Sequence, residues 1–177
     1  MRRKFSAVEH RSLLTGAILQ FKLALAARFL AGDHGFEFPY LAGYSWGKHT
    51  QNAEQLSLSK AQEELAGSIL EHTATYILVL QVDRDLQDLI PDRFQNPDSN
   101  LKAAAGIARL ARNAFAHNPL APTWEFQPEA ANKIFHVSEI LTLHTAGLDG
   151  KPVERTDYGG PLALLALAEF IMARITQ

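Results

Sequence analysis

Two long segments with helical residue spacing constrain the fold of this chain more than any other feature. The first runs from about residue 6 to 31, begins with a capping box at Ser6, and has apolar residues at steps of three and four: Leu14, Ile18, Phe21, Leu25 and Phe29. The second runs from about 59 to 90, between a capping box at Ser59 and a proline, with an apolar stripe at Leu65, Ile69, Tyr76, Ile77 and Leu80. We expect both segments to be core helices.

The C-terminal part of the chain carries strand and turn signals before one more helix. Residues Ile134 to Thr145 are rich in β-branched types and predict a strand. Asp149-Gly150 predicts a hairpin turn, and Lys151 to Thr156 would return as an edge strand. Residues from about 161 to 175 are apolar nearly all round and predict a last helix, buried in the core or in a dimer interface.

A third helical segment, from about 99 to 117, completes the predicted fold. It is alanine-rich, has Ser99 or Asn100 as a cap, and stops before Pro119, because a proline disfavours helical backbone in the residue before it. The fold class is therefore mainly α: a helical bundle with a small C-terminal β-hairpin at about 134 to 156 and a final helix. The 177 residues predict a single domain.

Composition describes an ordinary soluble globular protein. Hydrophobic residues make up 47% of the chain and charged residues 20%, and no cysteine is present, which excludes disulfides and thiol nucleophiles. Glu9 follows the basic N-terminus where a signal peptide would be apolar, and no charge-free run reaches the ~20 residues that span a bilayer. We expect a cytoplasmic protein with no membrane association.

The end of the third segment gathers chemically active side chains in the sequence Arg112-Asn113-Ala114-Phe115-Ala116-His117-Asn118-Pro119. Asn113 and His117 are four residues apart and share a helix face, whereas Arg112 lies about 140° around the helix from His117. Arg112 can therefore meet the imidazole only if the helix end unwinds, its side chain curls back, or a second copy of the chain supplies the partner.

The charge around this motif is locally basic. Residues 99 to 124 contain no Asp or Glu but include Lys102, Arg109 and Arg112, so the window carries +3 while the whole chain carries −2. A local positive charge on an acidic background favours an anionic ligand held at one site.

The arginine, the asparagine after it and the histidine at the helix end resemble the Arg-x4-6-His motif of the HEPN superfamily, the higher eukaryotes and prokaryotes nucleotide-binding domains. The resemblance extends from about residue 6 to the C-terminus and is firmest between 56 and 119. It implies a HEPN-like helical bundle, and it implies that Arg112, Asn113 and His117 are catalytic. With it we assign Lys102, Arg109 and Trp124 to substrate binding.

The resemblance further implies a homodimer in which two motifs form one composite site. A neutral imidazole would take the proton of a ribose 2′-hydroxyl, Arg112 would stabilise the charge on the phosphate, and Asn113 would orient the phosphate or the ring. We therefore expect an endoribonuclease that needs no metal or cofactor and acts on RNA as a toxin or defence effector. Its antitoxin or defence partner is not specified by the sequence.

Two other functions compete with this one. The first is a non-catalytic RNA-binding or nucleotide-binding dimerisation module of the HEPN type. The second is a purely structural interaction protein, with the final helix and the aromatic-rich connection at 33 to 55 as its surfaces. The chain lacks HExxH, P-loop, GxSxG and dinucleotide-binding fingerprints, which argues against the corresponding enzymes.

Several further side chains are weaker candidates. Metal binding is not expected, because neither His136 and His144 nor the cluster Asp33, His34 and Glu37 has the spacing of a complete ligand set. On the second helix, three residues could face the motif across the helix pair: His72, Asp83 and Arg84.

Overall fold

The computed structural model describes residues 5–33, 44–51, 57–90 and 92–175. Four helices are found in these ranges: α1 (Ala7–Asp33), α2 (Lys60–Leu89), α3 (Ser99–His117) and α4 (Pro161–Ile175). Short strands β1 (Tyr44–Trp46) and β2 (His49–Gln51) form one hairpin, and β3 (Ile134–Val137) and β4 (Leu141–His144) form another. Single 3-10 turns lie at Pro128–Ala130 and Arg155–Tyr158. The mainly helical fold with a small C-terminal hairpin and a final helix is confirmed.

The predicted helix boundaries follow from local signals at the helix ends. The side chain of Ser59 accepts a hydrogen bond from the backbone N–H of Gln62, and the side-chain oxygen of Gln62 accepts the backbone N–H of Ser59. The cap of α3 is Asp98, whose carboxylate accepts the N–H groups of Asn100 and Leu101, so the expectation of a cap at Ser99 or Asn100 is wrong by one residue.

The core lies between α1, α2 and α3, with α4 packed against the first two helices. Helix α3 is the most deeply buried, because its run of alanines lets neighbouring elements approach closely. The hairpin of β3 and β4 packs on α3, so the helix that carries the motif is held between α2 on one side and the hairpin on another.

The buried face of α2 differs from the predicted one. Leu65 is 62% exposed, and Ile69 and Leu80 are also exposed, whereas the core residues are Ala74, Leu78, Val79, Val82 and Leu86. The inward face also carries the carboxylates Glu71, Asp83 and Asp85. Each has a basic partner on another element, which offsets the penalty of burying a charge. Of the predicted stripe, Tyr76 and Ile77 do pack against the core, so hydrophobic spacing alone identified the buried face only in part.

The C-terminal hairpin turns earlier than predicted. Strands β3 and β4 lie within the stretch expected to be one strand, pair from Ile134 with His144 to Val137 with Leu141, and are joined by a turn in which Glu139 has a φ of 61°. A non-glycine residue in the left-handed region gives no sequence signal. The expected return strand at 151 to 156 is reduced to a single bridge between Thr123 and Pro152.

Among the residues that the structure describes, three helical stretches are long and apolar enough to cross a membrane: 7–33, 60–89 and 155–175. Only 28%, 39% and 33% of the residues in their most apolar windows are buried. These windows include one or two charges, which is why a search for charge-free runs missed them. The helices thus carry apolar surface beyond what the core of one chain covers, and the cytoplasmic location stays a prediction.

Candidate functional site

The imidazole of His117 lies at the open end of α3. Its side chain is 71% exposed, and Nε2 lies 3.4 Å from the Oε2 atom of Glu125 in the segment that follows the helix. The side chain of Asn118 accepts the N–H groups of Leu120 and Ala121, which turns the chain away from the helix axis. His117 is therefore accessible to a ligand or to another chain.

Arg112 points toward α2. Its Nε atom lies 3.3 Å from Oδ2 of Asp83, and its side chain is 32% exposed while that of Asp83 is buried. Burial raises the pKa of Asp83, and the positive charges of Arg112, Arg93 and Arg109 oppose that rise. The guanidinium is thus anchored by one buried carboxylate and still reaches the surface.

Within one chain, Arg112 and His117 have different partners. Within the described residues, no hydrogen bond or ion pair links Arg112 to His117; the first pairs with α2 and the second with Glu125. This separation agrees with the helical geometry, which places the two side chains about 140° apart. Only a second copy, or a rearrangement of the helix end, would bring them to one phosphate.

Asn113 faces a third direction, toward the hairpin. It lines a cavity of about 870 Å³ between α3 and the β3–β4 hairpin, which we call the α3–hairpin cavity. Lys102 and Arg109, both predicted to bind substrate, line the same cavity. The structure therefore brings Lys102, Arg109 and Asn113 together, but on a different side of α3 from Arg112.

Trp124 is not available to a substrate. Its side chain is 1% exposed, and its indole Nε1–H donates to Oδ2 of Asp157 at 2.7 Å. Its backbone also pairs with Lys151 and Gly150. The assignment of Trp124 to substrate binding is wrong, because the ring fills the junction between the segment after α3 and the Arg155–Tyr158 turn. The sequence alone does not indicate whether a tryptophan beside a motif packs in the core or contacts a substrate.

The three α2 candidates, His72, Asp83 and Arg84, have different roles. Asp83 contacts the motif through Arg112. His72 packs edge-on against Phe115, and its Nδ1 lies 3.3 Å from the carbonyl oxygen of Leu120, so it supports the helix end. The guanidinium of Arg84 stacks on Phe5 at 4.1 Å from the ring centroid and also lines a small cleft beside Arg112.

The remaining candidates hold no metal set. Across the ranges that the structure describes, no group of three His, Cys, Asp or Glu side chains converges. His136 and His144 lie on separate paired strands rather than on one, and His136 Nδ1 is 2.7 Å from the hydroxyl of Thr142. Of the Asp33, His34 and Glu37 cluster, the last two residues fall outside the described ranges.

Sequence reasoning missed four residues around the motif. Arg93 and Phe94 lie in the loop before α3, and Lys133 and Phe135 lie at the start of the hairpin. Arg93 contributes positive charge at Asp83, and the other three line the α3–hairpin cavity. Two of these residues lie in a loop and two at the start of the hairpin, where no helical spacing marks them, so only the tertiary fold assembles them.

Comparison with known proteins adds no relative. No family model, curated protein or solved structure matches the chain. The geometry of the site therefore carries the functional argument.

Proposed function

We propose that this protein is a metal-independent endoribonuclease of the HEPN type that cleaves RNA at a composite site formed by two copies of the chain. In this proposal Arg112, Asn113 and His117 are catalytic, with Lys102 and Arg109 binding the RNA backbone. The protein acts in the cytoplasm as a toxin or defence effector. The observation that carries the proposal is the accessible His117 at the end of a mostly buried helix, with a partly exposed Arg112 five residues earlier.

The chemistry follows from what these groups can donate and accept. The imidazole of His117 takes the proton of a ribose 2′-hydroxyl as its oxygen attacks the adjacent phosphorus. The bond from phosphorus to the 5′ oxygen breaks, and a water molecule protonates the leaving oxygen. Arg112 stabilises the negative charge that builds on the non-bridging oxygens. The products are a 2′,3′-cyclic phosphate and a 5′-hydroxyl end.

The exposed stripe on α2 supports a second copy. Leu65, Ile69 and Leu80 are exposed on one side of the helix, and Leu80 lines the same small cleft as Arg112 and Asp83. Large apolar residues exposed on one helix face are a common feature of protein interaction sites. A symmetric partner packed on this stripe would place the two Arg112 side chains at the interface.

The first experiment is cleavage of mixed RNA by the purified protein in EDTA. We expect cyclic phosphate ends, no attack on DNA, and a loss of about 100-fold or more in rate for His117→Ala, the usual contribution of a general base. His144→Ala is the matched control, since His144 is an exposed histidine on β4. Equal activity of both variants would refute the assignment of the base.

The second experiment tests whether the site is shared. Arg112→Ala and His117→Ala chains are each expected to be inactive alone. When mixed, half of the dimers are heterodimers, and the composite site of each keeps one of the two pairings between His117 of one chain and Arg112 of the other. Activity should therefore recover to about a quarter of the wild-type value. No recovery in a mixture shown to exchange subunits would contradict a site that draws on two chains.

One observation favours the alternative, a non-catalytic RNA-binding or nucleotide-binding dimerisation module. The ion pair between Arg112 and Asp83 occupies part of the guanidinium, as expected of a structural contact. RNA that binds without being cleaved, with an affinity unchanged by His117→Ala, would support this alternative.

A further inference from the structure

The α3–hairpin cavity has the size of a small-molecule site. Its volume of about 870 Å³ falls in the range of ligand pockets. One wall is α3, where Ala103, Gly106 and Leu110 leave room beside the helix, and the opposite wall is the hairpin with Ile134 and Phe135. The cavity does not include Arg112 or His117.

The two walls are fixed to each other by one close contact. A Cβ atom on Gly106 would lie 2.5 Å from the ring of Phe135, so this ring sits directly on the backbone of α3. In addition, the side-chain oxygen of Asn100 accepts the backbone N–H of Ser138 at 2.9 Å in the turn of the hairpin. The space between them is thus set by packed elements.

The charge of the lining is positive. Lys102, Arg109 and Lys133 contribute three positive charges and Glu129 one negative charge, which gives a net +2 with the histidine neutral. Such a concave surface, with apolar walls of low dielectric constant, concentrates an anion. Arg109 is held in this orientation by Phe94, whose ring centroid lies 5.4 Å from the guanidinium carbon.

The apolar residues of the cavity lining indicate the nature of the uncharged part of the ligand. Phe94, Phe135, Leu110 and Ile134 present rings and aliphatic surface next to these cations. An inorganic anion would leave that surface in water, and a neutral apolar compound would leave the cations without a partner. A molecule that combines a flat apolar body with an acidic group satisfies both.

We propose that the α3–hairpin cavity binds a small organic anion with a flat apolar body. This site shares Lys102, Arg109 and Asn113 with the proposed RNA-binding surface, but its walls come from one chain and need neither His117 nor a partner. A free nucleotide and a non-nucleotide aromatic acid both combine an acidic group with a flat apolar body. A competition experiment distinguishes these two kinds of ligand.

The test uses two dyes with one skeleton: 8-anilinonaphthalene-1-sulfonate, which is an anion, and N-phenyl-1-naphthylamine, which is neutral. We expect the sulfonate to bind one site per chain about tenfold more tightly than the neutral dye, as for a charge-assisted contact. High salt should remove most of this difference by screening. Equal affinities at low salt would overturn the proposal.

Two pairs of variants locate the bound dye. Lys133→Ala should weaken the sulfonate about three- to tenfold, while Lys151→Ala, an exposed lysine outside the cavity, should not. Ile134→Glu adds a negative charge at the cavity and should also weaken it, whereas Leu162→Glu on α4 should not; both positions are exposed, so folding is preserved. Binding unaffected by Lys133→Ala and Ile134→Glu would refute the location.

Two further measurements complete the design. His117→Ala should bind the sulfonate as the wild type does, so loss of ribonuclease activity and loss of ligand binding are distinguishable. Displacement of the dye by adenosine 5′-monophosphate would assign the cavity to nucleotide-like anions, and resistance to displacement would assign it to non-nucleotide aromatic acids. Loss of dye binding in His117→Ala with intact folding would contradict a site independent of His117.

Discussion

Replacing Gly106 by alanine tests how the hairpin is attached to the motif helix. Glycine in the middle of a helix is less favourable than alanine by about 1 kcal/mol, so the substitution alone should stabilise α3. At this position, however, the new Cβ would lie 2.5 Å from the ring of Phe135. Forcing such an overlap in a packed region costs about 1–3 kcal/mol. We therefore expect Gly106→Ala to lower the free energy of unfolding by about 1 kcal/mol.

The same substitution should change sign when the ring is removed. In a Phe135→Ala background nothing opposes the new methyl group, and Gly106→Ala should raise the free energy of unfolding by about 1 kcal/mol. The coupling energy between the two positions is then about 2 kcal/mol, well above the ~0.5 kcal/mol expected of independent sites. Urea unfolding of the four proteins, followed by far-UV circular dichroism, measures it.

Gly16 provides the matched control. It also lies inside a helix, α1, but a Cβ there would have no heavy atom within 4 Å. Gly16→Ala should stabilise by about 1 kcal/mol in either background. If Gly106→Ala stabilised the wild-type protein as much as Gly16→Ala does, the ring of Phe135 would not rest on α3, and the inner wall of the α3–hairpin cavity would be misplaced.

Three further predictions concern stability. Trp124→Phe removes the indole donor to Asp157 and should lower the free energy of unfolding by about 1–3 kcal/mol in urea titrations; a smaller loss would mean that this bond is not made. Burial raises the pKa of Asp85 from 3.8 to about 6, so the folded state keeps a proton that the unfolded chain releases, and stability falls as the pH rises between these two values. Asp85→Asn should abolish this fall of about 3 kcal/mol, and an unchanged pH dependence of unfolding would contradict the assignment. Ser59→Ala should lower the thermal stability by about 1 kcal/mol. Because Ser99 does not cap α3, Ser99→Ala should lower it by less than about 0.5 kcal/mol. Equal losses would refute the capping roles.

The helix boundaries could be predicted because their causes are local. A capping box needs two residues three positions apart, and a proline beyond the first turn ends a helix, so the limits of α2 and α3 follow from a few neighbouring residues. The turn of the C-terminal hairpin could not be predicted in this way. It depends on Glu139 in a left-handed conformation, and the stronger Asp149-Gly150 signal serves a different turn, where the Asp149 carboxylate accepts the N–H of Phe126.

The candidate site was predictable only in part, for a related reason. Arg112, Asn113 and His117 stand out because they are close in sequence, and the helical angle already indicated that Arg112 and His117 point in different directions. Which element each one faces depends on packing. Lys133 and Phe135 reach the cavity only because the hairpin folds back onto α3, and the indole of Trp124 is buried by a turn more than 30 residues further along the chain.

The burial of carboxylates on α2 explains both the position of Arg112 and the apolar surface beside it. Asp83 is buried against Arg112, as Asp85 is against His10, and a buried acid of this kind is tolerated only with its partner in place. Orienting α2 so that these acids face inward leaves Leu65 and Leu80 facing outward. The same orientation that holds the guanidinium therefore also exposes the apolar stripe next to it. The proposed composite site between two copies needs a fixed cation next to an apolar surface that a partner can cover. Here the position of the Arg112 guanidinium and the exposed apolar residues both follow from the orientation of α2.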